Sequence, residues 1–422
     1  MKSSAAPAPG RSLLLLATDF PPARGGIQTL TWEIYSRLAS ITRRAVAPAA
    51  GGYSTPDLGR SLRSLSAVAS LPGSGRPPGS GRLRAAASGG DAEAAQLPLT
   101  RTPASLGSQL ALLRYLRQAT AVLAPACAPP CLVHCNHLFA AYAAQRLERR
   151  SGARYLVWAH GEEITKCRFP GRARRALAGA AAILVNSDFT AARVGELVGS
   201  RLPPVRKIAL GATAEWARLP LATAARGAGE PPVILTVARL CARDRYKGVD
   251  QALRACAELR RRGVAFRYRI VGEGDDRGWL EALARSLGVG DAVEFSGALP
   301  EDQLLAAYDG CAVFLLASRE ERQRRGLGFE GFGIVLLEAA ARGKAVVAGR
   351  SGGIPDAVVD GVTGVLVDPT APEAIADGLA RLLQDGELAS RMGQAGRRRV
   401  LDEYNWDHAA AQVRAVHEEF LP

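Results

Sequence analysis

The chain has 422 residues, 48% of them hydrophobic and 22% charged, with a formal net charge of +14. Its length exceeds one ordinary core and suits two domains of about 200 residues each, and its composition excludes an intrinsically disordered chain. No apolar run approaches the roughly 20 residues that cross a bilayer.

Charge is unevenly spread. Residues 1–214 carry 27 Lys+Arg against 10 Asp+Glu, a surplus of +17, whereas residues 215–422 carry 27 against 30, or −3. Only five of the 54 cations are lysine, so an arginine-rich composition explains part of this, but not the shortage of carboxylates in the first half. A basic half-molecule implies an anionic partner, such as a membrane surface or an acidic acceptor. No nucleic-acid-binding motif accompanies the charge, so nucleic acid is not expected as a partner.

The first element in chain order is the apolar run Leu13–Ala17. It is too short for the core of a secretory signal and leads straight to Asp19, so a buried first strand of a cytoplasmic protein is expected. A helix over Gln28–Ser40 and a strand over Arg44–Ala47 follow. The Gly-, Ser-, Pro- and Arg-rich stretch Leu71–Gly90 cannot bury a core and reads as a mobile loop. Next come a helix at Leu110–Leu123, a strand at Cys131–Cys135, a helix at Ala140–Arg150, strands at Tyr155–Trp158 and Ala182–Val185, and a helix at Thr190–Val198. This alternation predicts a parallel sheet covered by helices. Cys127, Cys131, His134, Cys135 and His137 lie close together, but their spacing fits no standard zinc pattern and no metal is assigned to them. Seven cysteines scattered over so long a chain do not suggest a disulfide framework.

Pro220–Pro232 reads as an interdomain linker, after which the alternation restarts. Strands are expected at Val233–Val237, Phe266–Val271, Val293–Phe295, Val313–Leu316, Lys344–Ala348 and Gly364–Val367, with helices at Val249–Arg261 and Gly278–Leu287. The expected architecture is α/β, with two Rossmann-like doubly wound domains facing a cleft and ligands at the C-terminal strand ends.

The motif that carries most chemistry is Phe329-Glu330-Gly331-Phe332-Gly333-Ile334, continuing through Leu337-Glu338-Ala339. Glycines flank Phe332 just before an apolar helix, so free backbone N–H groups face outward at a positive helix end, a place for a diphosphate. Glu338 lies about one turn inside that helix, tilted back toward the ligand; inside so apolar a run, burial without a partner is costly. The plain alternative is an ordinary helix-start Glu and a solvent-facing Glu.

With these residues the sequence resembles glycosyltransferase family 4, retaining transferases of the GT-B fold, and within it the phosphatidylinositol mannosyltransferase-like branch. The resemblance runs over nearly the whole chain. It implies that Glu330 contacts hydroxyls of the donor sugar and Glu338 the ribose hydroxyls, with Phe332, Gly333 and Ile334 also at the donor. Val237-Ala238-Arg239-Leu240 and Arg245-Tyr246-Lys247-Gly248 put two cations at strand-end loops, able to neutralise a departing diphosphate. The resemblance gives that role to Arg239 and Lys247, and not to Arg243 or Arg245. Gly25-Gly26-Ile27-Gln28 follows the first strand, and paired glycines let backbone amides approach a phosphate; in the family this loop closes over the donor. His160, in Trp158-Ala159-His160-Gly161-Glu162-Glu163, is implied beside the donor sugar, though not as a base. Glu162 and Glu163 are either acceptor contacts or solvated loop carboxylates. Gly272, in Val271-Gly272-Glu273-Gly274, matches a segment near the nucleotide.

The chain departs from the family in the charged stretch Ser318–Gly328, longer than the usual approach to the paired glutamates. It reads as a mobile loop at the cleft mouth or as a solvated face. The expected domains are 1–214, on the acceptor side; 215–404, binding the nucleotide sugar; and 405–422, a terminal helix returning to the first domain. The implied reaction is transfer of a hexosyl group with retention, by front-face departure of the diphosphate, without an enzymic nucleophile. The donor is a nucleotide diphosphate sugar of the GDP-mannose type, or UDP-glucose or UDP-N-acetylglucosamine. No cofactor or metal is expected, and no Asp-x-Asp occurs. A nucleotide-sugar epimerase of the same fold and a non-catalytic sugar-nucleotide-binding protein are the alternatives. Lys166, Arg168, Arg172, Arg174 and Arg175 form a cluster soon after His160, expected to meet an anionic acceptor or the inner membrane surface. The bland alternative is a soluble small-molecule acceptor beside an arginine-rich surface.

Overall fold

The computed structural model describes residues 12–17, 26–38, 42–48, 99–102, 109–127, 130–212, 214–221, 230–324 and 326–421. Gly25, the stretch 71–90 and residues 222–229 of the linker lie outside them. Two parallel sheets organise the chain. The first contains β1 (Ser12–Leu16), β2 (Thr42–Pro48), β3 (Leu99–Thr102), β4 (Cys131–Cys135), β5 (Arg154–Ala159), β6 (Ala182–Val185) and β7 (Val205–Lys207), in the order β3-β2-β1-β4-β5-β6-β7. Its central strands are largely apolar because helices cover both faces. Accordingly, every residue of β4 and all but Arg154 of β5 are buried.

The second half adds β8 (Val233–Val237), β9 (Arg267–Val271), β10 (Val293–Gly297), β11 (Val313–Leu316), β12 (Glu321–Gln323), β13 (Gly326–Gly328), β14 (Val346–Gly349) and β15 (Gly364–Val367). Six of these form a parallel sheet in the order β10-β9-β8-β11-β14-β15, and β12 and β13 pair as a separate antiparallel hairpin. In both sheets the order reverses beside the first strand, between β1 and β4 and between β8 and β11. Each reversal opens a crevice at the C-terminal strand ends.

The segment after β7 crosses to the second half. The short helix Ala214–Arg218 is held there by Arg342, whose guanidinium donates to the carbonyls of Trp216 (2.5 Å) and Pro220 (2.8 Å). The helix Gly386–Asp402 ends the second half, and Asn405 then caps the helix Trp406–Phe420 by accepting from the His408 N–H at 2.9 Å. This last helix lies on the first half. Arg37 donates to Asp407 at 2.7 Å, Arg206 to Glu419 at 3.2 Å, and the imidazoles of His134 and His417 share a buried hydrogen bond of 2.7 Å. The outgoing and returning segments run side by side: Ala212 N–H donates to the Tyr404 carbonyl at 2.9 Å, and Ala212 bridges Asn405. Among the described residues, no helix is long and apolar enough to cross a membrane.

Candidate active site

The loops at the C-terminal strand ends of the two sheets meet over a cleft. Arg239 leaves the end of β8, its side chain 55% exposed. Lys247 ends a short 3-10 turn, Ala242–Lys247, and Gly248 behind it takes a left-handed conformation (φ 76°) that starts the helix Val249–Arg261. Its ammonium forms an ion pair with Glu330, with both side chains largely withdrawn from solvent. Burial works against the Lys247 charge, but the neighbouring Glu330 and Tyr246 outweigh it and hold the ammonium above its ordinary pKa. Lysine has three N–H donors and a carboxylate two oxygens, so neither partner is exhausted by this contact.

Gly333 (φ 90°) begins the helix Ile334–Ala341, and no side chain caps it. Its first amides are therefore open to an anion as donors. Glu338, one turn in, does not lack a partner. The Tyr308 hydroxyl donates to it at 2.7 Å. Desolvation raises the Glu338 carboxyl above its ordinary pKa, with Tyr308 opposing. Tyr308, on the helix Glu301–Gly310, thus supplies within the chain a partner that the local sequence does not show. The Phe332 ring is buried and stacks on Tyr404, with centroids 6.1 Å apart. Gly272 (φ 144°) passes so close to β8 that a Cβ there would sit 1.8 Å from the Ala238 carbonyl oxygen. Its lack of a side chain thus serves the packing that aims Arg239.

From the first half, His160 follows β5 and is buried. Its Nε2 lies 2.7 Å from the Asn136 carbonyl, which can only accept, so this nitrogen carries the proton and Nδ1 keeps the lone pair. Burial pushes the imidazole down to about 4, partly offset by that hydrogen bond, so the ring is neutral near pH 7. Glu163 is turned inward, accepting from the His160 N–H at 2.7 Å, and Glu162 pairs with Lys166. Glu163 is buried, so it does not read as a solvated loop carboxylate. Gly26 begins the helix Gly26–Arg37, whereas Gly25 falls outside the described residues.

The charged stretch before Glu330 keeps Glu320, Arg322 and Arg324 exposed, as a solvated face would, yet it is not irregular. It folds into the β12–β13 hairpin, which spans the cleft. Thr165 Oγ1 donates to the Leu327 carbonyl at 2.8 Å on the first-half side, and Gln323 Nε2 donates to the Arg243 carbonyl at 2.8 Å on the second-half side. Nearby, Lys207 bridges Asp188 and Asp356 at 2.8 Å each, and Phe189 packs on Phe329. A Cβ on Gly331 would approach the His160 carbonyl to 2.7 Å, so the glutamate loop of one half lies directly against the histidine loop of the other.

The cysteine–histidine cluster disperses. Cys127 and Cys131 have their sulfurs 3.5 Å apart, His134 faces His417, and His137 accepts from the Phe139 N–H as a helix cap. Among the described residues, no three His, Cys, Asp or Glu side chains converge as a metal site. Of the basic cluster, Lys166 sits near the cleft, its ammonium 5.8 Å from the Tyr246 ring centre. Arg172, Arg174 and Arg175 are exposed on the outer helix Pro170–Ala178, Arg174 donating to the Val198 carbonyl at 3.1 Å.

Two wound domains, one bringing paired cations and paired glutamates to the cleft and the other a histidine loop, have the GT-B architecture of nucleotide-sugar transferases. Residues 224–399 match the family Glycosyl transferases group 1. A GDP-mannose-dependent alpha-(1-6)-phosphatidylinositol monomannoside mannosyltransferase of Mycobacterium tuberculosis is 31% identical over 418 residues, 95% of this chain and 96% of that one. The protein of the same name from Mycolicibacterium smegmatis is 38% identical over 281 residues, 63% of this chain and 71% of that one. Sucrose-phosphate synthase from Thermosynechococcus elongatus superposes with a TM-score of 0.71 at 21% identity, covering 97% of this chain and 99% of that chain. The chain belongs to the group 1 glycosyltransferases, glycosyltransferase family 4. It is a glycosyltransferase that uses a nucleotide sugar, and the epimerase and non-catalytic alternatives are not favoured.

Proposed function

We propose that the protein transfers a mannosyl group from GDP-mannose, with retention at the anomeric carbon, to an acceptor of the phosphoinositide-lipid type. The observation that carries this reading is the Lys247–Glu330 pair at the crevice beside Arg239. Arg239 and Lys247 face the leaving diphosphate, the Ile334–Ala341 helix end adds backbone donors, and Glu330 keeps one oxygen for a sugar hydroxyl. His160, neutral and oriented by Asn136, borders the sugar. The choice of mannose and of an inositol lipid follows the names of the relatives, one of which matches end to end. A donor screen with GDP-mannose, UDP-glucose and UDP-N-acetylglucosamine against phosphatidylinositol mannosides, read by mass spectrometry with the product anomer set by NMR, tests it. Transfer from a UDP-sugar only, or an inverted product, overturns it.

In this reading the diphosphate is neutralised by protein cations, not by a divalent ion. Transfer is expected to persist, within about two-fold, after exhaustive chelation. Activity lost to a chelator and restored by magnesium overturns the metal-free assignment.

The acceptor's lipid nature further implies peripheral contact with an anionic membrane. Exposed Phe169 lies between Arg168 and Arg172, whose guanidinium carbons are 5.5 and 5.3 Å from its ring centre, beside Arg174 and Arg175. Each cation near an anionic surface contributes about 1 kcal/mol. Sedimentation with phosphatidylglycerol vesicles is expected at low salt, and loss of it at high salt or when Arg172, Arg174 and Arg175 become Gln. Binding indifferent to salt and lipid charge overturns the membrane contact.

A further inference from the structure

We propose that Asp244 is a positioning residue that aims Arg239 at the donor's diphosphate. The proposal rests on the reading of Arg239 as a diphosphate ligand. Asp244 is 3% exposed, yet its Oδ2 has no hydrogen-bond partner. A carboxylate oxygen left that way is costly unless a charge faces it. Two do: Arg239 Nε lies 3.3 Å from Oδ2, and Arg243 Nε lies 4.0 Å from it. The Arg239 contact is the nearer one, close enough that a small turn of the guanidinium completes a hydrogen bond.

The consequence lies in the fork of the guanidinium. When Nε–H is directed at Asp244, the two terminal nitrogens point outward and present parallel donors, the edge that grips a phosphate bidentately. Asp244 can hold that direction because its own backbone is fixed. Its N–H donates to the Cys241 carbonyl at 2.8 Å, and Ala242 N–H donates to Asp275 at 2.9 Å. The turn so anchored ends at Lys247. One short segment thereby sets both cations: Lys247 directly, by its place in the chain, and Arg239 through a buried carboxylate.

Titration calorimetry with GDP and UDP on the full chain, together with donor kinetics, tests this on Asp244→Asn, Arg239→Ala and the double variant. Asparagine preserves shape and removes a buried charge, so the melting temperature should not fall. Asp244→Asn is expected to weaken nucleoside diphosphate binding about ten-fold and to raise donor KM by a similar factor, with a smaller change in kcat. The double variant should bind no more weakly than Arg239→Ala alone, since the carboxylate acts only through that arginine. Unaltered binding by Asp244→Asn, or losses that add in the double variant, overturns the positioning role. Wild-type binding by Arg239→Ala instead removes the diphosphate reading beneath it, a failure recognisable from that single variant.

Discussion

Lys247→Ala is expected to lower kcat by about a thousand-fold at saturating donor, the scale on which preorganised charge at a leaving group acts. The loss has two sources. The departing diphosphate forfeits an ammonium already fixed in place, and the Glu330 carboxylate, mostly shielded from solvent, is left without its partner. Glu330→Gln should slow turnover on a similar scale for a different reason, since it leaves the cation and weakens the hold on the sugar. GDP, which has no sugar, separates the two: its binding is expected to survive in Glu330→Gln and to weaken at least ten-fold in Lys247→Ala. The double variant Lys247→Ala/Glu330→Gln, which leaves neither charge unpaired, checks that the fold tolerates the change by circular dichroism and melting temperature. Near-normal turnover in either single variant removes the role given to that residue.

The largest stability loss is expected from Gly272→Ala. The backbone there has φ 144°, which an L side chain rarely adopts, and the new Cβ would lie 1.8 Å from the Ala238 oxygen. Strain and backbone displacement together should cost about 3 kcal/mol. Because Ala238 immediately precedes Arg239, donor affinity should fall with stability. Gly278→Ala is the control: it lies in the helix Arg277–Ser286 with nothing within 4 Å of the added Cβ, and alanine favours a helix. Denaturant unfolding of both variants measures the difference. Equal stability of Gly272→Ala and wild type would mean that the backbones of Gly272 and Ala238, just past β9 and β8, do not approach each other this closely.

The doubly wound sheets were legible because buried parallel strands leave uninterrupted apolar runs. Cys131–Cys135, Ala182–Val185, Val233–Val237, Val313–Leu316 and Gly364–Val367 are strands with the bounds that their composition suggests. The edge strands β3 and β7 escaped notice, being short and partly polar, as in Val205-Arg206-Lys207. Helix ends drifted by a few residues; the first helix stops at Arg37, short of Ser40. At the candidate site, Arg239, Lys247, Glu330 and His160 each follow a strand or precede a helix, the places where motif order puts them. What stayed hidden were partners distant in sequence. Nothing local signals that Tyr308 meets Glu338, that Lys207 reaches Asp356, or that Gly326 packs on Thr165. The charges of the hairpin do point to solvent at Glu320, Arg322 and Arg324, but nothing in them signals the pairing of β12 with β13 or the contacts of Gln323 and Leu327. Asp244, one acidic residue among arginines, gave no signal until its burial was seen.

The chain passes between its two halves twice, and the passages touch. Ala212 on the way out is bonded to the Tyr404–Asn405 segment on the way back, with Gly211 so tight that a Cβ would meet the Trp406 nitrogen at 2.4 Å. A single flexible tether would act as a ball joint, leaving the halves free to twist and to meet in many wrong orientations. Two tethers fastened together act as the spine of a book. They permit opening about one axis and suppress rotation about the others, so each closure returns the glutamate loop to the same face of the histidine loop.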